Sequence, residues 1–166
     1  MRSPVGLIRT TAVAPLPEPF SVHYVWHNDA QMLDELGDDI DELLTDGDEL
    51  LYPVLREDDV VSSIVLTRQE DGWTIKSIGG PNWAKALTAA RDKHAAATGK
   101  THSEYIVVQL PHMYQTFLAY REDDRWMITH VQDQERYGFR CHETQPADEV
   151  LTTILPDAKA FRNTLE

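Results

Sequence analysis

The densest chemistry in this 166-residue chain is carboxylate. Between Asp34 and Glu49 stand nine acids, Asp34, Glu35, Asp38, Asp39, Asp41, Glu42, Asp46, Asp48 and Glu49, with no Lys, Arg or His among them. Like charges one turn apart on a helix repel by roughly a few tenths of a kcal/mol per pair. Such a run is either a solvated helix face or a docking face that steers a basic protein, including the case of a nucleic-acid mimic. Asp46-Gly47-Asp48-Glu49 crowds oxygen ligands, but the Gly and closing Glu of an EF-hand loop are missing at their positions, and no metal is assigned.

The remaining reactive residues form no catalytic pattern. His23 and His27 suit a helix by spacing, yet in a strand they stand about 13 Å apart, too far to share one ion. Cys141-His142-Glu143, with His130 nearby, offers possible ligands and a thiol pairing, but consecutive residues of an extended chain point in opposite directions and no oxyanion-loop glycines precede Cys141. Gly79-Gly80-Pro81-Asn82 lacks the lysine and spacing of a phosphate loop and reads as a tight turn into a helix. No catalytic residue, cofactor or metal ligand is therefore assigned. One loop stands apart: Pro111 is followed by His112, Met113 and Tyr114 where a polar turn is expected, which presents an apolar tip for contact.

The whole chain carries 28 Asp and Glu against 15 Lys and Arg, a net of −13. That balance excludes a phosphate-backbone binder, whose affinity comes from clustered Lys and Arg. Outside the acidic run the net is only −4, the difference between −13 and the nine charges of Asp34 to Glu49. Cys141 is the sole cysteine, so no intrachain disulfide can form. No apolar stretch is long enough to span a membrane as a helix. Residues 1–20 show no signal-peptide core, and Pro15, Pro17 and Pro19 look like an export linker; the location is secreted or periplasmic if a leader has been removed, otherwise cytoplasmic.

Phe20, Val22, Tyr24 and Trp26 alternate on one face of a strand. Asn28 or Asp29 caps a helix whose Leu33, Leu36, Ile40, Leu43 and Leu44 share one face. Three strands follow near 50–55, 60–67 and 73–78, joined by the turns Glu57-Asp58-Asp59 and Glu70-Asp71-Gly72. A second helix runs from Pro81 to Ala97 with Trp83, Leu87, Ala90, His94 and Ala97 inward. Its Lys85, Arg91 and Lys93, followed by Lys100, stand against Asp92 alone and balance the acidic helix within the chain, or across an isologous homodimer. Strands near 104–110, 114–121 and 125–131 come next. From 132 to 143 the chain is irregular, then Pro146 opens a short helix that Pro156 interrupts, with Phe161 and Leu165 tying down the tail.

Helix-strand-strand-strand thus occurs twice, and a slide of 53 positions superposes Tyr52 on Tyr105, Val54 on Val107, Arg68 on Arg121, Asp71 on Asp124, Trp73 on Trp126 and Ile75 on Ile128. The expectation is an α+β protein of two αβββ repeats whose helices pack on antiparallel sheet, plus an N-terminal strand and C-terminal short helices. The two units join edge to edge with both helices on one side, and Trp73 and Trp126 anchor the two meanders. The divisions are a flexible segment 1–19, a first unit 20–80, a second unit 81–131, and a tail 132–166.

The order of elements, with Tyr52-Pro53-Val54-Leu55, Val60-Val61-Ser62-Ser63-Ile64-Val65 and Asp71-Gly72-Trp73, resembles the PepSY and cystatin-like small domains of secreted bacterial proteins over roughly residues 28 to 131. That resemblance implies inhibition or modulation of peptidases, or binding at the cell envelope; it assigns no residue. The charge segregation and the absence of a catalytic constellation lead to the expectation of a non-enzymatic binding or inhibitory protein. Its expected partner is a basic or peptidic protein, met by Asp34, Glu35, Asp38, Asp39, Asp41 and Glu42 with help from His112, Met113 and Tyr114. The alternatives are a small-ligand or enzymatic domain with a pocket of Tyr105, Tyr120, His130 and Tyr137 on the sheet face, and a self-assembling envelope module.

Overall fold

The computed structural model describes residues 18–24, 44 and 48–163. Eight strands form one sheet: β1 (Phe20–Tyr24), β2 (Glu49–Arg56), β3 (Asp59–Gln69), β4 (Gly72–Gly79), β5 (Ile106–Leu110), β6 (Gln115–Glu122), β7 (Arg125–His130) and β8 (Thr144–Pro146). Among the described residues two long helices accompany them, α1 (Pro81–Thr98) and α2 (Ala147–Asn163). The mixed α+β class is therefore as expected, and all three strands of each meander fall within a few residues of their predicted ranges.

The turns have a local cause. Glu57-Asp58 and Asp123-Asp124 adopt positive φ at both central residues, the two-residue hairpin turn whose twist matches the strands it joins. Asp tolerates this conformation better than most side chains because it bonds to its own backbone.

The order across the sheet is β4-β3-β2-β1-β5-β6-β7-β8. This corrects the edge-to-edge join. β1 inserts between the two meanders, antiparallel to β2 through Phe20–Leu51 and parallel to β5 through Val22–Val107. Phe20 and Val22 bury fully on one side of it, so a strand expected only to flank the first unit is the central seam of the sheet.

The second predicted helix and the tail helix pack on opposite faces. Ala84, Leu87 and Ala90 of α1 close a core with Phe20, Val22, Leu51, Tyr105, Val107, Leu118 and Tyr120. On the opposite face Ala147, Val150, Leu151 and Ile154 of α2 pack with Val108, Leu110, Phe117, Ala119, Ile128 and Phe139. Leu44 belongs to this second core. The neighbours of Leu44 in the acidic segment lie outside the described residues, as do residues 1–17, Trp26 and His27.

Within α1 the inward face is rotated from its predicted setting. Ala84 and Arg91 are buried whereas Trp83 is 42% exposed, and Ala97 is exposed too. The Arg91 guanidinium lies 3.8 Å from the centre of the Phe20 ring, with Nη1 directed at the Pro19 carbonyl at 3.5 Å. Stacking on an aromatic face is how a guanidinium enters a core, and it turns a residue predicted for the basic surface into an interior one. Trp73 is likewise no core anchor: it is 41% exposed and takes Arg68 over its ring at 5.1 Å.

The 53-residue step holds in one hairpin and fails in the other. Leu66–Ile75, Thr67–Thr74, Arg68–Trp73 and Gln69–Gly72 recur in register as Ala119–Ile128, Tyr120–Met127, Arg121–Trp126 and Glu122–Arg125. Arg121 also stacks on Trp126, at 5.7 Å. In the preceding hairpins, however, Leu51 faces Val65 while Val107 faces Leu118. Between these positions the second hairpin is three residues shorter, its strands cut back and its turn widened to Pro111–Tyr114. Tyr52 and Tyr105 are consequently not equivalent: Tyr52 alternates away from Leu51, while Tyr105 lies in the α1-side core.

Finally, the tail helix continues through Pro156 instead of stopping there. A mid-helix proline costs about 3 kcal/mol through a lost hydrogen bond and a clash. Burial of Val150, Leu151 and Ile154 against the sheet offsets that cost. β8, a three-residue strand beside β7, follows the stretch 132–143 expected to be irregular, and Pro146 closes this strand instead of opening the tail helix. The side chain of Phe161, and Leu165 altogether, lie outside the described residues.

Candidate functional site

The shortened hairpin opens a cleft. Pro111, His112 and Met113 make a single 3-10 turn, and Tyr114 follows in the left-handed region at φ 52°. The Tyr114 amide donates back to the Pro111 carbonyl at 3.3 Å, which holds that conformation. The Tyr114 side chain is 88% exposed. A bulky residue at positive φ costs about 1 kcal/mol or more, so the loop spends stability to present this ring. Replacing Tyr114 with Gly is expected to raise unfolding stability by about 1 kcal/mol and at the same time to remove whatever contact the ring makes. Urea denaturation checks the first half, and a lower midpoint would overturn the assignment of strain.

Behind the loop lies an open cleft of about 610 Å³ lined by Met113, Tyr114, Gln115, Gln132, Gln134, Glu135, Arg136, Tyr137, Asp157 and Ala160. Three segments build it: the β5–β6 loop, the excursion between β7 and β8, and the second half of α2. The excursion is pinned at its base. His130 and Glu143 share a backbone bond of 3.0 Å, and the His142 amide donates to the His130 carbonyl at 2.7 Å. Within the excursion Gln134 and Phe139 close a tight loop around the turn Glu135–Tyr137, which Gly138 ends at φ 70°.

The polar groups of the cleft are organised around Asp157. The Tyr137 hydroxyl donates to Oδ2 at 2.6 Å and Arg136 Nη2 approaches the same oxygen at 2.8 Å. Arg136 also lies 5.6 Å from the centre of the Tyr137 ring. Burial first, then the bond to Asp157, push the Tyr137 phenol up to about 12, so it stays a donor at any ordinary pH. Gln115 donates from Nε2 to the Met113 carbonyl at 3.3 Å, while its buried Oε1 accepts no hydrogen bond.

The floor of the site is the α2-side core. His130 stacks on Phe139 with centroids 4.2 Å apart, meets Phe117 edge-on at 5.7 Å, and shares a 2.8 Å bond from Nε2 with Gln145 Oε1. Its Nδ1 is buried without a partner and burial depresses its pKa.

Of the residues singled out from sequence, Met113 and Tyr114 line the cleft, and the backbone of His112 shapes its rim while that side chain lies outside the described residues. Asp34, Glu35, Asp38, Asp39, Asp41 and Glu42 lie outside them as well. The pocket of Tyr105, Tyr120, His130 and Tyr137 does not assemble. Tyr105 and Tyr120 are fully buried under α1 beside His94, whose Nδ1 lies 2.6 Å from the Tyr105 hydroxyl, whereas His130 and Tyr137 belong to the other face. Among the described residues no three of His, Cys, Asp and Glu gather as metal ligands, and Cys141 contacts Asp133 through its backbone amide at 2.7 Å. Sequence reasoning missed Gln115, Gln132, Gln134, Arg136 and Asp157, which carry no motif.

The fold and cleft define the chain as an α+β protein with one mixed eight-stranded sheet clad by helices on both faces. No family model matches it, and neither the curated proteins nor the solved structures contain a match. No helix is long and apolar enough to cross a membrane among the described residues.

Proposed function

We propose that this chain is a non-enzymatic binding protein that inhibits or modulates a basic or peptidic protein partner. Contact is made at the Pro111–Tyr114 loop and its cleft, with the acidic segment Asp34 to Glu42 steering the approach. One observation carries the reading: the most exposed large hydrophobic residue among the described ones, Tyr114, is held at a strained φ on the rim of the cleft. Strain that persists in a fold marks a position with work to do. The inhibitory part of the reading rests on the PepSY-like and cystatin-like order of elements.

The test is an array of short tethered peptides graded from acidic to basic, probed at low and at moderate salt. Retention should rise with positive charge. It should fall when Asp38, Asp39, Asp41 and Glu42 become Asn and Gln, more so at low salt, and fall again in Tyr114→Gly. Retention unchanged by both sets of substitutions would overturn the proposal. A small-molecule reading of the same cleft is favoured by its volume, which falls within the usual range for such sites; a silent peptide array together with fragment-induced shifts at Gln115 would select it.

A further inference from the structure

We infer that the cleft is a socket for one arginine side chain of the partner; the inference rests on the binding role proposed above and names the group that is recognised.

The chain already shows half of such a socket filled. Arg136 sets its guanidinium over the Tyr137 ring at 5.6 Å and against Asp157 Oδ2 at 2.8 Å. An aromatic face with a carboxylate at its edge is the pairing a guanidinium prefers, because its weak hydration and planar fork suit both. The other half of the cleft repeats these elements, and among the described residues no guanidinium lies upon them. Tyr114 supplies a second ring, 88% exposed. Both contacts to Asp157 use Oδ2, so Oδ1 is left to an incoming donor among the described residues. Gln115 Oε1 is a buried acceptor without a hydrogen bond, a condition that disfavours the empty cleft until a donor arrives. Glu135 adds a further carboxylate to the lining.

The unmet demand of the cleft is thus for donors with positive charge. A guanidinium brings five N–H donors in a rigid plane and accepts nothing. It carries enough donors to serve both a Gln115 acceptor and the Asp157 carboxylate, and a flat face suited to a ring such as Tyr114. A lysine ammonium offers the charge without the flat face, and a carboxylate or phosphate group would meet Asp157 and Glu135 with like charge.

The experiment titrates the full chain with N-acetyl-Gly-Arg-Gly-amide and follows the Met113 methyl and the Gln115 side-chain amide by NMR. Peptides carrying citrulline, lysine or glutamate in place of the arginine are run beside it. Saturable shifts are expected with arginine, weakened about ten-fold or more for citrulline, which keeps the shape and loses the charge. Asp157→Asn should abolish the preference for arginine over citrulline, and Gln115→Glu should tighten arginine binding at least several-fold, a gain that misfolding cannot imitate. Equal binding of arginine and citrulline, or a Gln115→Glu variant no tighter than the parent, would overturn the socket while leaving a peptide-binding cleft. The absence of cleft shifts with all four peptides would overturn both the socket and the binding role on which it rests.

Discussion

Replacing Phe117 with Ala is expected to remove about 3–5 kcal/mol of unfolding stability, a large part of what a domain of this size usually has. The ring is fully buried in the α2-side core and meets two other rings edge-on, His130 at 5.7 Å and Phe139 at 6.3 Å. Its loss leaves a void framed by a central strand of the sheet, a wall that cannot collapse to fill it. Phe117→Leu keeps most of the volume and should cost under about 1.5 kcal/mol. Because Phe139 belongs to the excursion that walls the cleft, the Ala variant should also weaken peptide binding before it unfolds. Urea denaturation reads the stability; a loss below about 1 kcal/mol would mean that this core does not hold the site.

Mild acid should destabilise the fold through His130. Burial, the dominant cause, depresses the folded pKa, against smaller opposing effects from the Gln145 bond and the Glu143 charge. The groups around the ring are Phe117 from β6, Phe139 and Glu143 from the excursion, and Gln145 from β8; of these only Glu143 favours the cation by its charge. An unfolded histidine protonates near 6.5, and the folded one resists until lower pH. Stability is therefore full above about pH 6.5 and falls below it by up to about 1.4 kcal/mol per pH unit, until the folded ring itself takes the proton. His94 is depressed in the same direction, also by burial. Between about pH 7.5 and pH 5.5 the parent should lose more stability than His130→Gln, which has no ring to protonate. Parallel pH profiles for the two proteins would refute the assignment. Since His130 pins the base of the excursion, the cleft should loosen over the same interval.

Local pattern and long-range pairing were unequally legible. Alternation and Asp-rich turns located β2, β3, β4, β6 and β7, because a hairpin is decided by neighbours a few residues apart. The place of β1 was not legible: Phe20 and Val22 would be buried beside any strand, and nothing near Val22 announces Val107 as its parallel partner. Pro156 illustrates the opposite failure, a sound local rule overruled by the apolar face that Val150, Leu151 and Ile154 bury. The rim of the site was visible as a missing polar turn at His112-Met113-Tyr114. Its walls were not, since Gln115, Gln132 and Asp157 become neighbours only after the sheet and α2 have met.

Lys76 gives the sheet an ending. In β4 one extra residue slips in where Val65 pairs Ser77 and Leu66 pairs Ile75, and the Lys76 ammonium turns onto Glu49, which also accepts from Tyr24. Ile75 and Ile78 remain exposed on this outermost strand, and a row of that kind is what another chain would extend. The extra residue puts the free backbone groups out of step with any straight strand, and the lysine makes its approach unfavourable. One margin of the sheet is a strand of only three residues, β8, and the other is long but mismatched. The molecule can thus carry greasy residues at its border without offering them a straight strand to pair with.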